Sequence, residues 1–226
     1  MNSAVLFSGG KDSVMALYHA LNNGDDVKYL LSMKSENDES YMFHVPNIHL
    51  TDLQAEAIGI PLLEARTKGI KEEELDDLLD AFKKLKDLGV EAIYTGALYS
   101  EYQKSRIERL AGEVGIKVIS PYWHVDELEY MREIVSLGFK IIISGVAAWG
   151  LDASWLGRII DDEAIDELVG LNEKYYVDIA FEGGEAETLA VDGPIFKKRL
   201  KIIKDRKEWH RDSGVYIIED AILENK

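Results

Sequence analysis

The chain has 226 residues, enough for one large or two small domains with a real core, and 42 acidic against 26 basic side chains leave it at −16. Such a charge disfavours a partner whose surface is a phosphate backbone, so no nucleic acid is expected. With no cysteine there is no disulfide, thiolate zinc site or persulfide relay, and the longest apolar stretch, Ile141 to Leu151, is too short to span a bilayer. The expectation is a soluble cytoplasmic protein with no membrane partner.

Ala4 to Phe7 is a short continuous apolar run, the pattern of a parallel strand buried on both faces. Val14, Leu17, Tyr18 and Leu21 then fall at helical spacing, and Asn22-Asn23-Gly24 supplies a stop. Between strand and helix stands Ser8-Gly9-Gly10-Lys11-Asp12-Ser13. Its glycines let the backbone approach a ligand, and the first helical amides point outward with the positive end of the dipole behind them. A phosphate is the expected occupant. A Walker A loop would need glycine where Val5 stands and a hydroxyl where Asp12 stands, and the three spaced glycines of dinucleotide folds are absent. A simpler reading is a glycine turn with Asp12 as N-cap and Lys11 solvated.

Val27 to Met33 predicts a second strand, and the polar run Ser35 to Ser40 a mobile loop. A helix over Leu50 to Ile58, a strand over Pro61 to Ala65 and a long amphipathic helix over Glu72 to Leu88 follow. Strands at Ala92 to Thr95 and Val118 to Ile119 flank a helix from Glu101 to Val114. This alternation predicts an α/β fold, a parallel sheet covered by helices with ligands at the carboxyl ends of the strands. Near Pro121-Tyr122-Trp123 the rhythm weakens, which places a boundary near residue 124 and divides the chain into domains 1–124 and 125–226. The second domain is expected to hold helices over Asp126 to Leu137 and Asp161 to Asn172, and strands over Lys140 to Ser144, Leu200 to Lys204 and Val215 to Glu219.

Three later clusters carry polar chemistry. Gly96 is followed by Ser100 to Glu108, where Gln103 and Arg106 share a helical face; taken alone, this also fits a solvated helix start. Trp149 to Arg158 holds two tryptophans, which fit a core equally well. Glu182-Gly183-Gly184-Glu185-Ala186-Glu187-Thr188 crowds three carboxylates that repel one another and need a cation or donor, although a solvated acidic turn is the simpler reading.

SGGKDS matches, residue for residue, the SGGxDS loop of the N-type ATP pyrophosphatases. With SEYQKSRIE, GLDASWLGR, and EGGEAET followed by DGPIF in the same order, the chain resembles the diphthine–ammonia ligase family from about residue 4 to residue 200. The resemblance implies a Rossmann-like ATP pyrophosphatase domain with helices on both faces, plus a smaller α+β C-terminal domain. It implies amidation of diphthine on elongation factor 2, with ATP and ammonium as cosubstrates and AMP and pyrophosphate as products. In ATP binding it implicates Ser8, Gly9, Gly10, Lys11, Asp12 and Ser13 on the phosphates, with Met33 and Gly96 framing the adenosine. Lys11 would neutralise developing charge, and Asp12 would help hold Mg²⁺. Tyr102, Gln103, Arg106, Glu182, Gly183, Gly184, Glu185, Glu187 and Thr188 would bind substrate, with Glu185 taking the ammonium proton. Tyr102, Trp123, Trp149 and Trp155 supply aromatic faces for the trimethylammonium group of diphthine. Two positions depart from the family pattern: Phe181, where glycine is common, and Ala186, where an aromatic residue is usual. A tRNA-modifying enzyme with the same loop and a non-catalytic ATP-binding module are the rival readings. His44, His49 and His124 have no assignable role, the oligomeric state is open with a homodimer among the options, and the acidic helix Asp161 to Glu167 is one candidate docking surface for the protein substrate.

Overall fold

In the computed structural model, which describes residues 1–35, 46–70 and 73–226, strands and helices alternate through the first half. They are β1 (Asn2–Leu6), α1 (Lys11–Asn22), β2 (Asp26–Ser35), α2 (Thr51–Ile58), β3 (Leu62–Thr67), α3 (Glu73–Asp87), β4 (Ala92–Tyr94), α4 (Glu101–Glu113) and β5 (Lys117–Ile119). All five strands run parallel in the order β3-β2-β1-β4-β5. The winding therefore reverses between β1 and β4, and sheets of this kind bind ligands in the crevice outside that reversal. Of the polar run Ser35 to Ser40, only Ser35 lies among the described residues, as the last residue of β2; His44 and Glu72 also lie outside them.

The strands are apolar on both faces because both are covered. Ala4, Leu31, Met33 and Ile93 pack against Leu75, Leu78, Phe82 and Leu85 of α3 and Ile107 and Leu110 of α4. The α3 positions repeat at the helical period, leaving its charged face to solvent. On the opposite face, Val5, Phe7, Leu30 and Tyr94 meet α1. Here the burial is denser: Val14, Met15, Ala16 and Leu17, four consecutive positions, are all fully buried. A helix buried all round lies between two layers, and the second layer comes from the other half of the chain.

That half contains α5 (Glu127–Ser136), β6 (Lys140–Val146), α6 (Asp162–Tyr175), β7 (Ala186–Asp192), β8 (Lys198–His210) and β9 (Ser213–Asn225). Its four strands form an antiparallel sheet in the order β7-β6-β9-β8. Ile141, Ile143, Leu189 and Ile218 belong to the same apolar cluster as the α1 residues, so one continuous core joins the two sheets. The sequence reading has no strand at β7, and it stops short on β8 and β9. Beyond Ile202 strand β8 is exposed and held to β9 by cross-strand pairs such as Arg206 with Glu219 at 3.0 Å, and from Glu219 onward β9 loses its buried alternation, so neither end has an apolar pattern to read. A further tie between the halves is Asn47, whose side chain donates to the Tyr216 carbonyl and accepts from the Ile218 amide, both at 2.8 Å, as a neighbouring strand would. Among the described residues, no helix is long and apolar enough to cross a membrane.

Candidate active site at the switch point

Phe7 to Gly10 connect the end of β1 to the start of α1 at the carboxyl edge of the parallel sheet. Gly9 has φ +82°, the left-handed region that favours glycine, and a side-chain carbon there would lie 2.1 Å from Oε1 of Gln54. The loop hydroxyls hold its shape: Ser13 Oγ accepts from the Gly9 amide and donates to the Gly10 carbonyl, both at 3.0 Å. Ser8 Oγ accepts from the Gly10 amide at 3.4 Å.

The loop is also tied to the second half of the chain. Nε2 of Gln54 donates to the carbonyls of Gly9 at 2.9 Å and Ala190 at 2.7 Å. The Ala190 amide donates to that same Gly9 oxygen at 2.9 Å, and the Lys11 amide donates to Thr188 Oγ1 at 3.1 Å. Strand β7 is thus docked along the loop, and Glu187, between Ala186 and Thr188, stands beside it.

Lys11 is only 3% exposed, and its ammonium lies 2.8 Å from each carboxylate oxygen of Asp12. Asp12 Oδ1 also accepts from the Tyr130 hydroxyl at 2.9 Å. Burial beside Asp12 holds the Tyr130 phenol well above its ordinary pKa, so it stays a donor. The simpler reading of a solvated Lys11 and an N-capping Asp12 is overturned: Gly10 occupies the N-cap with no side-chain bond, and Asp12 lies in the first turn of α1. Gly96, at the end of β4, presses on this turn, where a side-chain carbon would lie 2.5 Å from the Asp12 carbonyl carbon.

The loop opens onto a cavity of about 440 Å³ whose walls include Ser8, Lys11, Asp12 and Ser13, with Met33, Gly96 and Gln103 from the parallel sheet side. Glu182, Gly183, Gly184, Glu187 and Thr188 close it from the other side. Gly9 and Gly10 lie behind the wall, where they shape the loop. Glu182 accepts from the Tyr99 amide at 3.2 Å. Burial, with the Asp12 charge adding to it and Lys11 opposing, pushes its carboxyl up to about 7. Glu187 is also pushed up to about 7, by burial first, with Lys11 opposing and Asp12 adding. By surface area Glu187 is nevertheless exposed, its side chain opening onto the cavity it lines, so the upward direction reflects crowding and charge rather than full burial.

The remaining expected residues lie elsewhere. Glu185 turns away from the cavity: its Oε1 accepts from the Asp178 amide at 3.2 Å, and its Oε2 is buried with no hydrogen-bond partner among the described residues. Gly183 makes room for this fold-back, since a side-chain carbon there would sit 2.5 Å from Glu185 Oε1. The Arg106 guanidinium lies 3.5 Å from the centroid of the Tyr102 ring, and neither residue lines the cavity. Nor do the other three aromatics. Trp155 is buried under the Arg158 guanidinium, Trp123 carries the Lys104 ammonium at 4.7 Å, and Trp149 is 77% exposed. His124 has φ +62° and stacks on Tyr99 with ring centroids 5.1 Å apart, while His49 contacts the Ile218 carbonyl at 3.2 Å.

Sequence reasoning missed Gln54 and Tyr130. Gln54 left a trace, a polar residue on the apolar face of α2 among Leu50, Ala57 and Ile58; Tyr130 looks like any core tyrosine. Phe181, where glycine is common, has φ +64° and lines the cavity, so the backbone that favours glycine persists under an aromatic side chain.

Amides at a strand-to-helix turn, set at the winding reversal of a parallel sheet, place the molecule among the nucleotide-binding α/β proteins. Residues 1–118 match the diphthamide synthase N-terminal domain and residues 126–223 the diphthamide synthase C-terminal domain, so the chain belongs to the diphthamide synthase family. It is 32% identical to the diphthine–ammonia ligase of Homo sapiens, over 92% of this chain and 84% of that one. The Mus musculus enzyme of the same name is also 32% identical, over 93% and 86%. The Schizosaccharomyces pombe enzyme matches at 32% over 98% of this chain but only 39% of its own length.

Proposed function

We propose that this chain is an AMP-forming ligase that amidates diphthine on elongation factor 2 in the cytoplasm, using ATP and ammonium. The observation that carries this reading is the meeting of Lys11 and Asp12 with Glu182 and Glu187 across one cavity at the end of the phosphate-type loop. In it, the β and γ phosphates of ATP lie on the loop and the first turn of α1, and Lys11 leaves Asp12 to offset charge developing on the bridging oxygen. The diphthine carboxylate attacks the α phosphate, forming an acyl adenylate and releasing pyrophosphate. Ammonia then attacks the acyl carbon and displaces AMP.

Ammonium is mostly protonated near neutrality, so a base must take its proton before attack. A carboxylate with a pKa near 7 can both bind the cation and accept the proton, which supports Glu182 and Glu187 in that role. Glu185, the residue favoured from sequence, is assigned instead to shaping the turn that presents Glu182. Asp12, whose carboxylate stands on the cavity wall, would hold Mg²⁺ as a companion of the triphosphate. When bound, it would supply neutralising charge to the phosphate oxygens.

The test is incubation with diphthine-bearing elongation factor 2, ATP, Mg²⁺ and ammonium, followed by mass analysis of the modified histidine and assay of AMP. Amide formed together with AMP is the expected result. ATP binding without AMP would leave a non-catalytic nucleotide-binding module, and AMP without amide would leave a different acceptor.

A further inference from the structure

Two large aromatic side chains stand in solvent on segments bonded to the turn that walls the cavity, with no use in the chemistry above. Trp149 is 77% exposed and Tyr176 is 87% exposed. Tyr176 also has φ +60° at the C-terminal end of α6, a position where glycine or asparagine is favoured. The Asn172 side chain fixes this turn by donating to the Val177 carbonyl at 2.9 Å. A bulky ring held outward in a disfavoured backbone conformation is a strained feature of the kind that clusters at functional sites.

Both residues sit on segments pinned to the turn that walls the cavity. The Ala147 amide, two residues before Trp149, donates to the Glu185 carbonyl at 2.8 Å. The Asp178 amide, two residues after Tyr176, donates to Glu185 Oε1 at 3.2 Å, and Asp178 Oδ1 accepts from the Glu182 amide at 3.1 Å. The two segments also pack on each other, for a side-chain carbon at Gly150 would lie 2.7 Å from the Tyr175 ring. Next along the rim is the half-exposed Tyr99, whose amide holds Glu182 and whose hydroxyl is surrounded by Glu127, Asp126 and Asp178. Among the described residues, none of these three carboxylates is in an ion pair.

We propose that this rim, with Trp149 and Tyr176 as anchors and the carboxylates around Tyr99 as its charged part, docks the polypeptide that carries the substrate side chain. The proposal rests on the function put forward above and deepens it. A modified histidine that reaches the cavity brings its flanking backbone to the mouth, so the surface beside the mouth must meet a protein segment. Exposed aromatics at a rim are the side chains that dominate such contacts, and unpaired carboxylates on a molecule of net charge −16 select a basic segment. The acidic start of α6 is less suited to this, because Asp162 pairs with Arg132 at 2.8 Å and Glu167 with Arg158 at 2.7 Å.

The experiment compares wild type with Trp149→Ala, Tyr176→Gly and the double variant on two acceptors. One is full-length diphthine-bearing elongation factor 2; the other is free diphthine blocked at both ends. Tyr176→Gly suits the backbone there, so its thermal stability should match or exceed that of wild type. The expected result is a fall in kcat/KM for the protein acceptor of about tenfold or more in the double variant, from a higher KM, with the free acceptor and ATP affinity unchanged. Equal losses on both acceptors, or none on the protein, overturn the docking site. If wild type amidates neither acceptor, the function above has failed, and direct binding of diphthine-bearing elongation factor 2 by calorimetry still decides the rim: binding weakened by the substitutions upholds it, and binding absent or unaffected overturns it. A wild-type dimer that Trp149→Ala dissociates in sedimentation would make the patch a contact between two copies and overturn it too.

Discussion

The Thr188 hydroxyl accepts a hydrogen bond from the backbone amide of Lys11 at 3.1 Å, across 177 residues of chain. Gly10, at the N-cap of α1, brings no side chain to that task, so the second half of the protein caps the first helix. Because Thr188 follows Glu187 on β7, the capping bond also sets the distance between the phosphate-type loop and a carboxylate with a pKa near 7. Loop and acid are held as one unit.

Replacing Thr188 with valine keeps the shape and removes the acceptor. Loss of a cap of this kind costs about 1 kcal/mol, so the urea midpoint should fall modestly. ATP titration should show weaker binding, and Thr188→Ser should restore both. Valine with unchanged ATP affinity would mean that the capped amide plays no part in holding the loop.

Gln54 is fully buried and gives both amide hydrogens to carbonyls, one on the loop and one on β7. Gln54→Leu leaves the Ala190 carbonyl without that donor, and an unsatisfied buried group costs about 1–3 kcal/mol. Chemical denaturation should show a loss in that range. ATP affinity should fall more than ammonium KM rises, because the Gly9 turn is the part released.

The carboxyls of Glu182 and Glu187, near 7 against an ordinary value of 4.5, keep protons in the folded state at pH values where the unfolded chain has lost them. Their contribution to stability therefore declines as pH rises from about 4.5 to about 7 in the ligand-free protein. Catalysis runs the other way, since a proton acceptor must be ionised: amidation should rise with pH through an apparent pKa near 7. Glu187→Gln should flatten part of the stability slope and lower amidation by a factor of about 10² or more. An unchanged pH–rate profile in both single glutamine variants would remove the two acids from the proton transfer.

Gly96 has no room for a methyl group against the backbone of Asp12. Gly96→Ala must push the end of β4 away from α1, and overpacking of this kind costs about 1–3 kcal/mol. Thermal unfolding should register the loss, and AMP formation should fall further than the stability change accounts for, since Asp12 shifts with the turn.

Residues close together in the chain made much of this protein legible before any tertiary information. Alternating apolar runs and helical periods are local patterns, so the parallel layer and the strand-loop-helix turn at Ser8 to Ser13 follow from neighbours alone. The same locality explains why the three glutamates were recognised as a cluster, with Glu185 favoured among them as the base, before their orientations were known. Which of them faces the cavity depends on β7 pairing with β6 and docking on the loop, and on Asp178 drawing Glu185 back over Gly183. Likewise Lys11, polar and beside a glycine pair, fits a solvated side chain until a second sheet closes over α1 and buries it on Asp12 and Tyr130. Tertiary packing decided these points because burial and pKa are set by whatever the fold brings near, and two of the deciding neighbours, Thr188 for Lys11 and Tyr130 for Asp12, lie more than a hundred residues away along the chain.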